Sequence, residues 1–177
     1  MIHLTPYKQK AGFCGPVALR VLFAYYGANL SEEKLVRLCK TTPKVGTWHK
    51  DLVAAARSVG FLVEAKAGGT IEELKRHIAK GTPALVGWYA FDDEHYSVVY
   101  NITGKYVHMV DTESHLKERK RHLTIARFKE LWFDYDNPKN RKEKTFAWYM
   151  CIFPFSDIES KKGKATLRMS HIRIRKH

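Results

Sequence analysis

The order of two kinds of apolar pattern constrains the fold of this chain more than any other feature. Up to Gly81, apolar residues recur mostly at helical spacing, and Ser, Thr or Gly stands where helices should begin and end. After Pro83, the apolar runs are rich in β-branched and aromatic residues, as strands are. Helices followed by an antiparallel sheet predict an α+β domain rather than a doubly wound one.

Individual elements follow from the same patterns. Helices are predicted at residues 14–26, from 31 onward, at 46–60 and at 70–81, and a short one at 124–133. Strands are predicted at 61–67, 84–90, 95–100, 105–111 and 145–155. Thr70 followed by Glu73 is the pattern of a capping box, which marks the start of the fourth helix.

Length and composition fit one domain. The chain has 177 residues, 45% of them hydrophobic, which is enough to bury a sizeable core. We expect a domain over residues 1–156 and a basic tail over 157–177. No apolar run approaches the roughly 18 residues of a membrane span, and the first residues lack the pattern of a secretory signal. The expectation is a cytosolic protein without a membrane span.

Positive charge is concentrated in the last third of the chain. Residues 116–177 carry 17 Lys and Arg against 7 Asp and Glu, which is a net charge of 17 − 7 = +10. The whole protein has a net charge of +13. Such a segment is either a solvated surface or a contact for nucleic acid or an acidic partner. No aromatic residues alternate with the basic ones in the tail, which weakens the case for a platform that binds single strands.

Cysteine and histidine spacing gives no metal motif. Cys14, Cys39 and Cys151 form neither a paired spacing nor an even framework for disulfides. His115 and His122 are the one loose histidine pair in a polar segment, so zinc there is a minor alternative. We expect no metal and no cofactor.

Cys14 is the thiol best placed for nucleophilic chemistry. It stands at the start of the first predicted helix, where the helix dipole and unpaired N–H groups stabilise thiolate. Gly15 and Pro16 follow it, and Pro suits a first turn. Cys39 and Cys151 lie at a helix end and in an apolar strand, where burial raises a thiol pKa, so both are predicted to be structural.

A proton carrier and its partner are predicted on one hairpin. If residues 101–105 form a five-residue turn, Tyr100 faces Tyr106, and the same register places His95 directly opposite Asp111. Side chains opposite each other on one face have Cβ atoms about 5 Å apart, close enough for a hydrogen bond. A four-residue turn would shift the register by one and separate them.

Other candidates lie around these three residues. Gln9, just ahead of Cys14, can donate an amide N–H to an oxyanion together with the Cys14 backbone N–H. Trp48, Trp88 and Tyr89 are candidates for lining a substrate groove, although apolar aromatics at such positions are more often core residues.

Taken together, these motifs resemble those of a known family. "Q…CGPVALRVLFAYYG", "GT" at Gly46 and Thr47, "EELKRHIAKGTPALV", "HYSVVYNITGKYVHMVD" and "ARFKELW" are similar, in order and spacing, to landmarks of the bacteriocin-processing, double-glycine type cysteine peptidases. That resemblance, over about residues 5–155, implies a papain-like fold. With the groove candidates above, we expect substrate contacts at Gly46, Thr47, Trp48 and Trp88. The resemblance also implies Cys14 as nucleophile, His95 as general base and acid, Asp111 as its orienting carboxylate and Gln9 as oxyanion donor.

The sequence departs from the family pattern at three places. Phe13 precedes the cysteine, four residues rather than five separate Gln9 from Cys14, and Thr112 replaces a proline that commonly follows the carboxylate. Members of the family often form the peptidase domain of a peptide exporter and cut after Gly-Gly. Leader peptides, protein tags, acidic peptides and non-peptide amides remain alternative substrates, and an inactive binding module is the alternative function.

Overall fold

The computed structural model describes residues 1–90, 92–113, 119–135 and 143–155. Its helices are α1 (Cys14–Tyr25), α2 (Glu32–Leu38), α3 (His49–Ser58), α4 (Ile71–Ala79) and α5 (Ile125–Leu131). Its strands are β1 (Phe61–Lys66), β2 (Ala84–Ala90), β3 (Asp93–Ile102), β4 (Tyr106–Asp111), β5 (Lys120–Thr124), β6 (Phe133–Asp134), β7 (Thr145–Phe146) and β8 (Tyr149–Pro154).

A six-stranded antiparallel sheet forms the centre of the described part, in the order β1-β8-β2-β3-β4-β5. Strands β2 to β5 follow each other as neighbours, as hairpin-connected strands do. The late strand β8 enters between β1 and β2, so that the end of the domain joins its helical half to the sheet. Strands β6 and β7 form a separate two-stranded ribbon.

Helices cover both faces of the sheet. Residues of α1, α2 and α3 share one hydrophobic core with Leu85, Val98 and Met150, and residues of α4 and α5 share a second with Val86 and Val99. Neighbouring residues of one strand thus enter different cores, because successive side chains point to opposite faces. Helix α1 is buried on nearly every side, rather than along the single inward face that its apolar spacing predicts.

The predicted α+β class is confirmed, with helices packed on a large antiparallel sheet. The capping box forms: the Glu73 backbone N–H donates to Thr70 Oγ1, and the Thr70 N–H donates to the Glu73 carboxylate. Two predictions of extent are wrong. The single strand over 145–155 is divided at Ala147, whose φ of 51° breaks the extended backbone, and the polar strand β5 was not predicted, because it lacks an apolar run.

The predicted register of the β3–β4 hairpin is also wrong. Ser97, not His95, lies opposite Asp111, and Tyr100 does not face Tyr106. Next to the turn, where Ile102 lies opposite Val107, the pairing differs from the predicted one by an odd number of residues. An irregularity between Val99 and Asn101 makes this difference even further along the hairpin. Because the total displacement is two residues, His95 still shares a face with Asp111.

Two further expectations concern the C-terminal tail and membrane-spanning helices. The predicted basic tail and its boundary at residue 156 lie outside the described residues. None of the helices in the described part combines the length and apolar character needed to span a membrane.

Candidate active site

Cys14 is the first residue of α1 and is partly exposed. The preceding residue, Phe13, gives the helix no side-chain cap, and the first turn carries no acidic residue. The backbone N–H groups at the start of a helix have no partner within it, and together they carry about half a positive charge. A thiolate at Cys14 and an oxyanion formed beside it therefore both face a positive helix end.

Two glycines let the Cys14 segment approach a neighbouring loop. A Cβ on Gly15 would lie 2.7 Å from Thr47 Oγ1, and one on Gly12 would lie 2.8 Å from the Pro43 backbone. Gly12 also has a φ of 79°, which is strained for other residues. The Gly that follows the cysteine is therefore needed for packing α1 against residues 43–47.

The imidazole of His95 connects the thiol to a carboxylate. His95 Nε2 donates to Asp111 Oδ1 at 2.8 Å, and the same ring hydrogen-bonds Cys14. Because Nε2 is used by Asp111, Nδ1 is the ring nitrogen that remains for the thiol. The structure thus brings the Cys14 thiol at a helix start, the His95 imidazole and the Asp111 carboxylate of the hairpin into one hydrogen-bonded series.

Asp111 is completely buried and well bonded. Arg121 Nε donates to its Oδ2 at 2.8 Å, and the backbone N–H of Glu113 donates to Oδ1 at 3.1 Å. Burial by itself raises a carboxyl pKa, but the hydrogen bond and charge of His95, with help from Glu113 and Arg121, hold the pKa of Asp111 below its ordinary value. The carboxylate therefore stays ionised.

His95 is held in its charged form. Its burial disfavours imidazolium, but the hydrogen bonds to Asp111 and Cys14, together with their negative charges, raise the pKa of His95 well above its ordinary value. A protonated imidazole beside the thiol is the state in which a thiolate can attack and a leaving group can receive a proton.

Trp88 supports His95 and does not line the cleft. Its indole N–H donates to Ser97 Oγ at 3.0 Å, its ring meets the His95 ring edge to face at 6.1 Å, and it is only 1% exposed. Trp48 is also not among the described residues that line the cleft, and Lys50 packs over its ring. The placement of these two tryptophans gives no support to the expected substrate contact: Trp88 lies opposite His95 on the paired strands, and Trp48 stands at the start of α3.

Gln9 is buried beside the end of β4. Its backbone N–H donates to Thr112 O at 3.0 Å, and its Oε1 accepts from Thr112 Oγ1 at 2.6 Å. Its Nε2 donates to Glu113 Oε2 at 3.2 Å. The amide is therefore oriented by the residue that stands where the family commonly has proline, and one of its two N–H groups is used by Glu113.

A cleft of about 150 Å³ opens beside Cys14. Gly46 and Thr47 line it, and their predicted contact with substrate stays a prediction. Tyr96, which also lines the cleft, donates its OH to Thr47 O at 3.0 Å. Three further lining residues carry carboxylates, namely Asp93, Glu94 and Asp134. The cleft is therefore polar and acidic next to the thiol.

A second histidine–carboxylate pair lies at this cleft. His49 Nε2 donates to Asp134 Oδ2 at 2.7 Å, and both side chains are buried. The His49 ring stacks on Trp148 at 3.9 Å with the planes 2° apart. Since His49 begins α3 and Asp134 ends β6, no local sequence pattern joins them.

Cys39 and Cys151 are buried, free thiols. Burial, together with the negative charge of Asp51, raises the pKa of Cys39 to about 12, and burial with the charge of Glu64 raises the pKa of Cys151 further. The prediction that both are structural is consistent with this placement. Within the described residues no group of three potential metal ligands occurs, and His115 lies outside them.

Sequence reasoning missed several residues of the site, among them Arg121, Asp134 and Thr112. Arg121 comes from the polar strand β5, Asp134 from the two-residue strand β6, and Thr112 was noted only as a departure from the family pattern. Thr112 had a usable signal, because a hydroxyl next to the proposed carboxylate can bond a neighbouring side chain. Arg121 and Asp134 had none, because Arg121 lies in a polar run and Asp134 in a two-residue strand that no periodic pattern marks.

Comparison with family models identifies the chain. The peptidase C39 family model matches residues 7–135, which include Gln9, Cys14, His49, His95, Asp111 and Asp134. The fold and this match together define a papain-like cysteine peptidase. The chain belongs to the peptidase C39 family. Comparison with curated protein sequences gives no match.

Solved structures are similar over most of the chain. The peptidase domain of Streptococcus ComA, a bi-functional ABC transporter, has a TM-score of 0.67 at 22% identity and covers 87% of this chain and 99% of its own. A double glycine motif protease from an AMS/PCAT transporter, in complex with the leader peptide, has a TM-score of 0.65 at 19% identity. The match covers 86% of this chain and 92% of that protease chain. A C39-like peptidase from Bacillus anthracis has a TM-score of 0.63 at 13% identity, with 84% and 94% covered. These similarities show the fold.

Proposed function

We propose that this cysteine peptidase cleaves peptide bonds through a triad of Cys14, His95 and Asp111. The observation that carries the proposal is the continuous hydrogen-bonded series from the partly exposed thiol, through the buried imidazole, to the buried carboxylate. A nucleophile, a base within hydrogen-bond reach and a third group that orients the base are the recurring parts of acyl-transfer sites.

Each residue has one role in the reaction. The Cys14 thiolate attacks the carbonyl carbon, and the carbonyl electron pair moves to oxygen. His95 then gives its proton to the leaving amine nitrogen as the C–N bond breaks, which leaves a thioester on Cys14. A water molecule attacks the thioester carbon while His95 takes one of its protons. The C–S bond then breaks, which regenerates the Cys14 thiolate beside the protonated His95 and releases the acid product. Asp111 keeps the imidazole oriented and stabilises its charge throughout.

The oxyanion is assigned to donors at the start of α1 and to Gln9. The Cys14 backbone N–H lies at the uncapped helix end, and the second N–H of the Gln9 amide supplies a side-chain donor. Loss of one such donor typically costs about 3 kcal/mol in the barrier. Thr112 supports this role, because its hydroxyl fixes which end of the amide is oxygen.

We further propose a peptide or protein substrate and action in the cytosol. The similarity to a double glycine motif protease in complex with a leader peptide supports a peptide substrate, and makes a Gly-Gly site the first to test. Three free cysteines suit a reducing compartment. Leader-peptide or tag processing are the uses that such an activity would serve.

A peptide library with a mass-spectrometric readout tests this function. Wild-type protein should cleave a subset of peptides, Gly-Gly sequences among them, and Cys14→Ala should cleave none. Cys39→Ala is the matched control, since it removes a buried thiol and should leave cleavage intact. A thiol alkylator should label Cys14 first in the wild type and far more slowly in His95→Ala. Cleavage that survives Cys14→Ala would overturn the proposal.

A further inference from the structure

The cleft beside Cys14 has a charge opposite to that of the protein. The chain carries a net charge of +13. Among the described residues lining the cleft, however, three are carboxylates and Lys44 is the single ammonium. An acidic concave surface on a basic protein attracts cationic groups locally, since low-dielectric walls concentrate the field of the lining charges.

Asp134 is the carboxylate that most needs a ligand. Its side chain is about 4% exposed, and its Oδ2 accepts the hydrogen bond from His49. Its Oδ1 is buried and makes no hydrogen bond within the described part of the chain. A buried carboxylate oxygen without a donor costs free energy, so this atom is expected to gain a partner when the cleft is occupied.

The position of this carboxylate is fixed from two sides. His49, stacked on Trp148, holds Oδ2. Gly87 of β2 lies against the same oxygen so closely that a Cβ there would overlap Asp134 Oδ2. A charge held in place before the ligand arrives loses little entropy on binding, which is the property of a built recognition site.

We propose that Asp134, with Asp93 and Glu94 at the same cleft, binds the cationic side chain of a Lys or Arg residue of the substrate near the scissile bond. This specificity rests on the proposed function of Cys14. A neutral donor would satisfy Oδ1 alone, whereas a cation also gains from the other two carboxylates. Pro43, Val45 and the Tyr96 ring line the cleft where the apolar stem of a long basic side chain would pack.

Paired peptide substrates test this specificity. N-acetylated peptides should be made in which each position within three residues of the cleaved bond is Lys in one member and the uncharged norleucine in the other. At one position the wild-type kcat/KM should favour Lys by about tenfold or more, and Asp134→Asn should reduce that preference to about twofold. Glu130→Gln, which removes an exposed carboxylate on α5, is the matched control and should keep the preference.

Two additions keep the result interpretable. Asp93→Asn changes an exposed residue at the cleft, so it should lower the lysine preference by a few-fold even if Asp134→Asn unfolds. Fluorescence anisotropy with Cys14→Ala protein should measure tighter binding of the lysine peptide than of its norleucine partner, independently of catalysis. This difference should shrink when Asp134→Asn is added.

Each outcome decides between the two proposals. Cleavage with a lysine preference that both cleft variants lower supports this inference. Cleavage without such a preference, or with one that neither variant changes, overturns it and leaves the peptidase intact. Selective binding of lysine peptides without any cleavage supports the cleft and overturns the catalytic proposal. Neither cleavage nor selective binding overturns both.

Discussion

The two buried histidine–aspartate pairs of this protein have similar hydrogen-bond lengths and different surroundings. His95 and Asp111 lie 2.8 Å apart, and every oxygen of the carboxylate has a donor, from His95, Glu113 and Arg121. His49 and Asp134 lie 2.7 Å apart, and Oδ1 of Asp134 has no donor within the described residues. The carboxylate of the first pair is fully hydrogen-bonded, whereas that of the second has one oxygen without a donor among the described residues.

Under the two proposals above, that difference separates a catalytic role for the first pair from a recognition role for the second. A carboxylate that orients a base works best when it is immobile and ionised, which its full set of donors ensures. A carboxylate that recognises substrate must keep part of its hydrogen-bonding capacity for the substrate. Of the two described histidines, His95 is the one that also hydrogen-bonds Cys14, so we propose chemistry for its pair and binding for the other.

The largest expected effect comes from replacing each of the two histidines separately by glutamine. His95→Gln should lower kcat by a factor of about a thousand or more, because proton transfer and the orientation of the base are both lost. His49→Gln should keep kcat within about tenfold, since His49 is not bonded to the thiol. Steady-state cleavage of one peptide by both variants measures the difference. Equal losses would show that the two pairs do not divide the work in this way.

Gly87→Ala should damage the second pair selectively. The added methyl would overlap Asp134 Oδ2 and lie 3.1 Å from His49 Nε2, so we expect a loss of about 2 kcal/mol in the free energy of unfolding. Chemical denaturation measures this. Gly104→Ala is the matched control, because a Cβ there meets nothing within 4 Å. A Gly87→Ala protein as stable as the control would contradict the close approach.

The pH dependence of stability tests the first pair. In a Cys14→Ala background, which removes the thiol, Asp111 should still raise the pKa of His95. A raised pKa in the folded state means that folding binds a proton, so this contribution is full below about pH 6.5, the unfolded value, and is lost as pH rises through the folded one. Relative to Cys14→Ala/His95→Gln, we expect an excess loss on the order of 1 kcal/mol.

The measurement is the unfolding free energy of both proteins between pH 6 and about pH 10. Because Cys39, Cys151 and the tyrosines are present in both, their titration cancels. Parallel curves would mean that Asp111 does not hold the imidazolium.

The smallest expected effect concerns the oxyanion donor. Thr112→Val should lower kcat by a few-fold to tenfold with little change in KM, because the Gln9 amide loses the hydroxyl that orients it. Thr112→Ser should restore most of kcat, since it keeps the hydroxyl. A loss of kcat that Ser does not rescue would assign Thr112 a packing role instead.

Part of the site is a local property of the sequence. Cys14 begins a helix because a Pro-containing first turn and a long apolar run follow it, and this holds in any tertiary context. His95 and Asp111 share a face for a less secure reason. The predicted turn was wrong, and the actual turn alone would have placed the two side chains on opposite faces. A β-bulge near Tyr100 shifts the pairing by one more residue and returns them to one face. Alternation along strands limits such errors to a choice of face.

The remaining residues of the site depend on distant contacts. Trp88 was predicted to contact substrate but lies under His95, because its strand pairs with β3 so that the two side chains share a face. Arg121 reaches Asp111 because β5 pairs with β4, and a polar strand of this kind carries no periodic signal.

By itself, the sequence determined the α+β class, most helix and strand positions, and the resemblance that named Cys14, His95, Asp111 and Gln9. These depend on local periodicity, on capping and on the order of motifs. The tertiary structure alone decided that β8 enters between β1 and β2 and that His49 meets Asp134, 85 residues away. It also made the cleft acidic on a basic chain, because the packing of distant elements, not the overall composition, decides which charges meet.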